Sequence, residues 1–159
     1  MQKITVISVG ADKEKYFTEA ANEYIKRLSR YAKTELIILK DEPIPDDPSE
    51  KEMQAVLEKE GKKILAAIPE GCLKVALCIE GKQLSSPELS ELLESAAQSY
   101  SGIVFIIGGS LGIDKKVKDI CNVKLSFSKL TFPHRLMRVI LFEALYRAKT
   151  ISRGEKYHK

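Results

Sequence analysis

Both histidines of this 159-residue chain, His134 and His158, lie in its last thirty-six residues, where nine Lys or Arg stand against two acidic side chains. Imidazole gains and loses a proton near neutral pH, so the chemistry on offer is proton transfer beside a cationic surface. The rest, Met1 to Val123, holds 17 basic and 20 acidic residues, although the whole chain is net +4. Charge is therefore segregated into an acidic body with one basic edge, a distribution suited to a polyanion such as nucleic acid. The tail Arg153-Gly154-Glu155-Lys156-Tyr157-His158-Lys159 concentrates residue types that contact phosphate, stack on bases and move protons.

Other chemistries find less support. The three cysteines, Cys72, Cys78 and Cys121, lie in or beside apolar stretches without a CxxC or Cys/His spacing, which reads as buried thiols and no metal. No apolar run approaches the roughly 20 residues that span a bilayer. Met1 to Gly10 lacks the cationic start and cleavage site of a secretory signal, so the expected location is the cytoplasm, away from membranes. Neither GxGxxG after the first strand nor GxxxxGK[ST] occurs, which disfavours dinucleotide and triphosphate loops. Gly108-Gly109-Ser110-Leu111-Gly112 offers instead a late loop whose backbone a flat ring or a carboxylate can approach; a plain tight turn explains the glycines equally well. Phe127-Ser128-Lys129-Leu130-Thr131-Phe132 places hydroxyls and a cation between two aromatics. Its main chain could read an adenine edge, or the aromatics could be core and Thr131 a helix cap.

These loops need a scaffold. Lys3 to Val9, Thr34 to Leu39, Leu73 to Ile79, Ile103 to Ile107 and Val123 to Phe127 read as strands. Glu14 to Arg30 has Phe17, Ala20, Ala21, Tyr24, Ile25 and Leu28 on one helical face, and Ser49 with Glu52 marks a capped helix running to about Ala67. Gly81 to Ser86 is expected to turn into a helix entered at Ser86-Pro87 and ending near Ser99; a short helix follows Asp114, and the last runs from Pro133 to about Lys149. Alternation of strands and helices with short loops predicts an α/β fold, a mainly parallel sheet covered on both faces, in one domain spanning residues 1–159. Ligands of such sheets sit at the carboxyl ends of the strands, where Leu77 to Lys82, the glycine loop and the Phe127 loop would gather. In the final helix Arg135 reads as a capping or solvated side chain or a phosphate contact, and Arg138, among apolar neighbours, as an ion pair with Glu143 or another partner.

The glycine loop, Leu125 to His134 and Arg153 to Lys159 together resemble the large-subunit ribosomal RNA methyltransferase H family of bacteria, and the likeness covers the full length. The second and third motifs are specific, whereas the glycine loop is shared more widely. The resemblance implies the SPOUT superfamily: a C-terminal trefoil knot, a homodimer, and S-adenosylmethionine as methyl donor. It also implies methylation of N3 of a pseudouridine in 23S ribosomal RNA, on assembled ribosomes. Carried over by position, the cofactor contacts are Leu77, Gly108, Phe127, Ser128, Lys129, Leu130, Thr131 and Phe132. Arg135 departs from the family pattern, where an uncharged residue is more usual.

Displacement at a sulfonium requires the attacking nitrogen to lose its proton. His134, Tyr157 and His158 are the candidate catalytic groups, and Arg135, Arg153, Lys156 and Lys159 the candidate RNA contacts. A helix from Pro133 to Lys149 is roughly 25 Å long, and the residues beyond it reach at most about 30 Å. Within one chain the two histidines barely meet, so a site shared between two subunits is expected. Two alternatives remain from the residues themselves: a ribosome-associated RNA-binding factor without catalysis, and a methyltransferase acting on a tRNA ribose hydroxyl.

Overall fold

The computed structural model describes every residue from Met1 to Lys159. Strands β1 (Gln2–Val9), β2 (Ala32–Leu39), β3 (Cys72–Gln83), β4 (Gly102–Ile107) and β5 (Val123–Ser126) alternate with helices α1 (Lys15–Leu28), α2 (Glu50–Ala67), α3 (Ser86–Ser99), α4 (Lys115–Ile120) and α5 (His134–Ser152). The sheet order is β2-β1-β4-β3-β5 and every pairing is parallel.

Strand periodicity divides the apolar residues between two cores. Ile4 and Val6, Leu73 and Val75, and Ile103 and Phe105 face α1, α3 and α5, where they meet Leu28, Leu93 and Leu141. Ile7, Ala76, Val104 and Ile106 face the opposite way, toward Ile64 of α2 and Val117 of α4. A sheet buried on both sides needs continuously apolar central strands, and β4, with all its residues buried, meets that need.

The helix starts follow local chemistry. At α2 the Ser49 hydroxyl accepts the Glu52 N–H at 3.1 Å while the Glu52 carboxylate accepts the Ser49 N–H at 3.2 Å. At α3 the cap is Ser85, paired in the same way with Glu88, one residue before the expected Ser86; Pro87 sits inside the first turn, where a missing N–H costs nothing. The expected turn at Gly81 is instead a continuation of β3. The strand breaks register after Leu77 and rejoins β5 at Lys82 and Gln83. Gly81 lies so close to the β5 backbone that a Cβ would fall 2.6 Å from the Lys124 carbonyl carbon. The last helix extends past Lys149 to Ser152, and Gly154, at φ +67°, ends it by letting the Glu155 N–H reach the Thr150 carbonyl at 2.9 Å.

One connection shapes the carboxyl edge of the sheet. β5 lies outside β3, yet the first residue of α5 stands against Gly10, just beyond β1. Phe127 to Pro133 therefore crosses the carboxyl ends of β3 and β4.

Candidate active site

That crossing, the ends of β3 and β4 and the first turn of α5 enclose a cavity of about 810 Å³, within the range of small-molecule sites. Leu77, Gly108, Phe127, Ser128, Leu130, Thr131 and Phe132 line it, as does His134. Lys129 does not line the cavity and is exposed. The Ser126 hydroxyl donates to the Ser128 carbonyl and the Leu130 N–H donates to the Ser128 hydroxyl, each at 3.0 Å, which folds this segment on itself. Leu130, 71% exposed, marks the open edge. In the glycine loop a Cβ on Gly108 would fall 2.3 Å from the Gly112 carbonyl oxygen, so the close approach excludes any side chain there. Two charged side chains line the cavity, Lys118 and Glu80, and they pair with each other at 2.5 Å.

Sequence reasoning did not single out Cys78 or Met137 as lining residues, yet both contribute to the wall. Cys72 is buried as expected, but Cys78 and Cys121 are only half-buried. Burial pushes the Cys78 thiol up, with Glu80 adding to the effect, so it stays protonated at neutral pH.

The start of α5 is fixed by buried contacts. The His134 ring lies against Gly10, with Nε2 buried and without a hydrogen-bond partner. Desolvation, then the nearby Arg138 and Arg135 charges, hold the imidazole below its usual range, so it is uncharged at neutral pH. Arg138 is fully buried, and its ion partner is Asp12 at 2.7 Å, while Glu143 pairs with Arg147. The Arg138 guanidinium also donates to Ser8 Oγ at 2.6 Å and to the Gly10 carbonyl. Linear sequence hid this partner because it lies in the loop after the first strand. Arg135 donates to the Ala11 carbonyl at 3.0 Å and pairs with Glu14 at 3.2 Å, on the same loop.

The other end of α5 is different. Tyr157 is half-buried: its hydroxyl donates to Glu143 at 3.1 Å, its ring meets Tyr146 edge-on at 4.8 Å, and the Arg147 guanidinium sits 4.8 Å from the ring centre. Burial and the Glu143 hydrogen bond push its phenol up to about 12. As placed, Tyr157 donates a proton in a hydrogen bond and is no base at neutral pH. Tyr31, in the turn between α1 and β2, donates to Glu155 at 2.7 Å, tying down the tail at a second point. Arg153, Lys156, His158 and Lys159 are exposed. Glu143, the tail's anchor on α5, is nine residues from His134, roughly 14 Å along the axis. Tyr157 is thus held away from the cavity of its own chain, and neither it nor the rest of the tail lines that cavity.

Residues 2–158 match the model of the family described as "predicted SPOUT methyltransferase". The chain belongs to the SPOUT methyltransferase family. It is 52% identical over 157 residues to the ribosomal RNA large subunit methyltransferase H of Clostridium novyi (strain NT), covering 98% of this chain and 99% of that protein. It is 51% identical over 158 residues to the protein of the same name from Streptococcus thermophilus (strain ATCC BAA-491 / LMD-9), covering 99% of each. The fold matches that of a probable methylase family protein from Haemophilus influenzae Rd KW20, with a TM-score of 0.52 at 12% identity, over 99% of this chain and 70% of that one. As a SPOUT methyltransferase the chain is an enzyme that uses a methyl donor. None of its helices is long and apolar enough to cross a membrane.

Proposed function

We propose that this SPOUT methyltransferase uses S-adenosylmethionine to methylate N3 of a pseudouridine in 23S ribosomal RNA, acting on assembled ribosomes in the cytoplasm as a homodimer of single domains spanning residues 1–159. The observation that carries the reading is the cavity. It has the volume for an adenosyl donor, and its walls combine apolar side chains with glycine backbone and the Ser126, Ser128 and Thr131 hydroxyls. Its one lysine is neutralised by Glu80 and its histidine is uncharged, so nothing opposes a sulfonium. When bound, the donor would supply an electrophilic methyl group. Leu77, Gly108 and Phe127 to Phe132 would hold it, with Lys129 contributing main chain, because its side chain lies outside the cavity.

The residues then divide the work. The folded Phe127 to Phe132 segment would exclude water, and the glycine loop, without side chains at Gly108, Gly109 and Gly112, leaves its backbone open to the donor. His134, uncharged, is available to orient the base or take its imide proton. Tyr157 acts as a hydrogen-bond donor, while Arg153, Lys156 and Lys159 contact phosphate and offset the charge that develops on the base. Arg135, already committed to Ala11 and Glu14, adds positive potential at the rim. The roughly 14 Å between His134 and the tail's anchor along α5 supports a site assembled from two chains, with the cavity from one and the tail from its partner. The C-terminal trefoil knot belongs to the same reading; the route of Phe127 to Pro133 across β3 and β4, beside the glycine loop, supports it.

Two measurements test this. Calorimetry on folded protein should show uptake of S-adenosylmethionine, and ribosomes from cells lacking the chain should lose one methylated pseudouridine; retention of every methyl mark would refute the substrate. Sharing is tested by mixing His134→Ala and His158→Ala chains. Recovered activity from two inactive parents supports a composite site, and no recovery argues against it.

A further inference from the structure

α2 carries a carboxylate in the middle of its apolar stripe. Val56, Glu60 and Ile64 recur four residues apart and all are buried. Glu60 retains 4% of its surface exposure. Its Oε1 accepts the backbone N–H of Glu42 at 3.1 Å, while its Oε2 is buried without a partner. That open oxygen is pressed against the glycine loop: a Cβ on Gly109 would sit 3.1 Å from it. The next residue, Gly61, receives the other end of the same loop, because a Cβ there would be 2.9 Å from Asp114 Oδ2. Lys63, one turn on, pairs with Glu42 at 2.7 Å and donates to the Lys40 carbonyl at 2.9 Å. Burial pushes the Glu60 carboxyl up, against the pull of the Glu42 amide.

A carboxylate in an apolar stripe, with one oxygen unsatisfied, is a poor choice for stability alone. Its position gives it another use, since its two oxygens face two different loops. We propose that Glu60 is a positioning residue for methyl transfer: one oxygen packs under the glycine loop at Gly109 and the other is hydrogen-bonded to the start of the Asp41–Pro48 loop, coupling occupancy of the cavity to the loop at the end of β2. The proposal rests on the reading that the cavity holds S-adenosylmethionine. Glu60 touches neither donor nor RNA; it sets the height of Gly109 by packing beneath it with one oxygen while the other holds the Glu42 amide.

Calorimetry with S-adenosylmethionine compares the unaltered chain with Glu60→Ala and Glu60→Gln. Glu60→Ala is expected to weaken the donor by about tenfold, the scale of a lost hydrogen bond to a charged group, and Glu60→Gln, which keeps the shape and an acceptor oxygen, is expected to restore most of it. Equal binding by all three overturns the proposal, as does Glu60→Gln binding as poorly as Glu60→Ala. Absence of binding to the unaltered chain overturns the functional reading and this inference with it. A second variant covers the case in which Glu60→Ala does not fold. Gly109→Ala pushes on Oε2 from the loop side, so hydrogen exchange at the Glu42 amide should quicken although Glu42 is far from residue 109 in sequence. An unchanged Glu42 amide in folded Gly109→Ala overturns the coupling.

Discussion

The two ends of α5 hold the two halves of the candidate chemistry by opposite means. At the start, Arg138 sits at 0% exposure, ion-paired to Asp12 and hydrogen-bonded to Ser8, so His134 is fixed to the end of β1 by contacts that water does not reach. At the other end, Tyr157 and Glu155 dock on Tyr146, Glu143 and Tyr31 through partly buried aromatic and polar contacts. The first arrangement is costly to break, and the second is cheap to release. That difference suits a cavity that must stay formed and a basic tail that must find RNA on another surface.

The sharpest way to break the comparison is Arg138→Met, which keeps bulk but leaves Asp12 buried without its partner. Urea unfolding should show a loss of about 3–5 kcal/mol, the cost of stranding one member of a buried pair. At the tail, replacing Arg153, Lys156 and Lys159 together by alanine should leave the unfolding midpoint nearly unchanged. RNA affinity should then lose about two to three from its logarithmic salt slope, close to one per phosphate contact; an unchanged slope would remove these residues from the interface. Tyr157→Phe should cost about 1 kcal/mol through the lost hydrogen bond to Glu143, measured as a shift in the same urea curve.

The smallest effect expected is a pH dependence at the buried end. The folded-state pKa of His134 lies below its unfolded value of about 6.5. The folded chain therefore resists taking up that proton, and the stability is complete above about pH 6.5 and lost as pH falls toward the depressed folded value. Stability of the unaltered chain should fall through that window more steeply than that of His134→Gln; parallel curves would show that burial does not govern this imidazole.

Much of the scaffold was readable because it is written locally. Alternating apolar residues gave the strands, and Ser49 with Glu52 gave the start of α2, since each signal spans only a few residues. The extension of β3 was not readable: nothing in Gly81 or Lys82 announces that the chain bulges and rejoins β5, because that depends on the backbone of Lys124 and Leu125. The residues from Phe127 to Phe132, Lys129 apart, could be placed at the cavity from their motif, but the Arg138 partner was hidden, since choosing Asp12 over Glu143 requires the final helix to lie on the first strand. Glu60 left a trace that reading by helical faces could have caught, a carboxylate spaced with Val56 and Ile64. The tail's residue types suggested contacts with RNA, and only the fold reveals the aromatic surface on which Tyr157 rests.

The bond from Arg138 to Ser8 joins residues 130 positions apart. At about 5–20 residues per second of synthesis, the finished amino-terminal strand waits on the order of 10 s before the helix that secures its end exists. Cotranslational assembly can therefore build the early strands and helices but cannot lock them. Completion awaits synthesis of α5, and such distant closures make the last step slow. A truncated product lacking α5 should accordingly be a substrate for chaperones and proteases, never a smaller working enzyme.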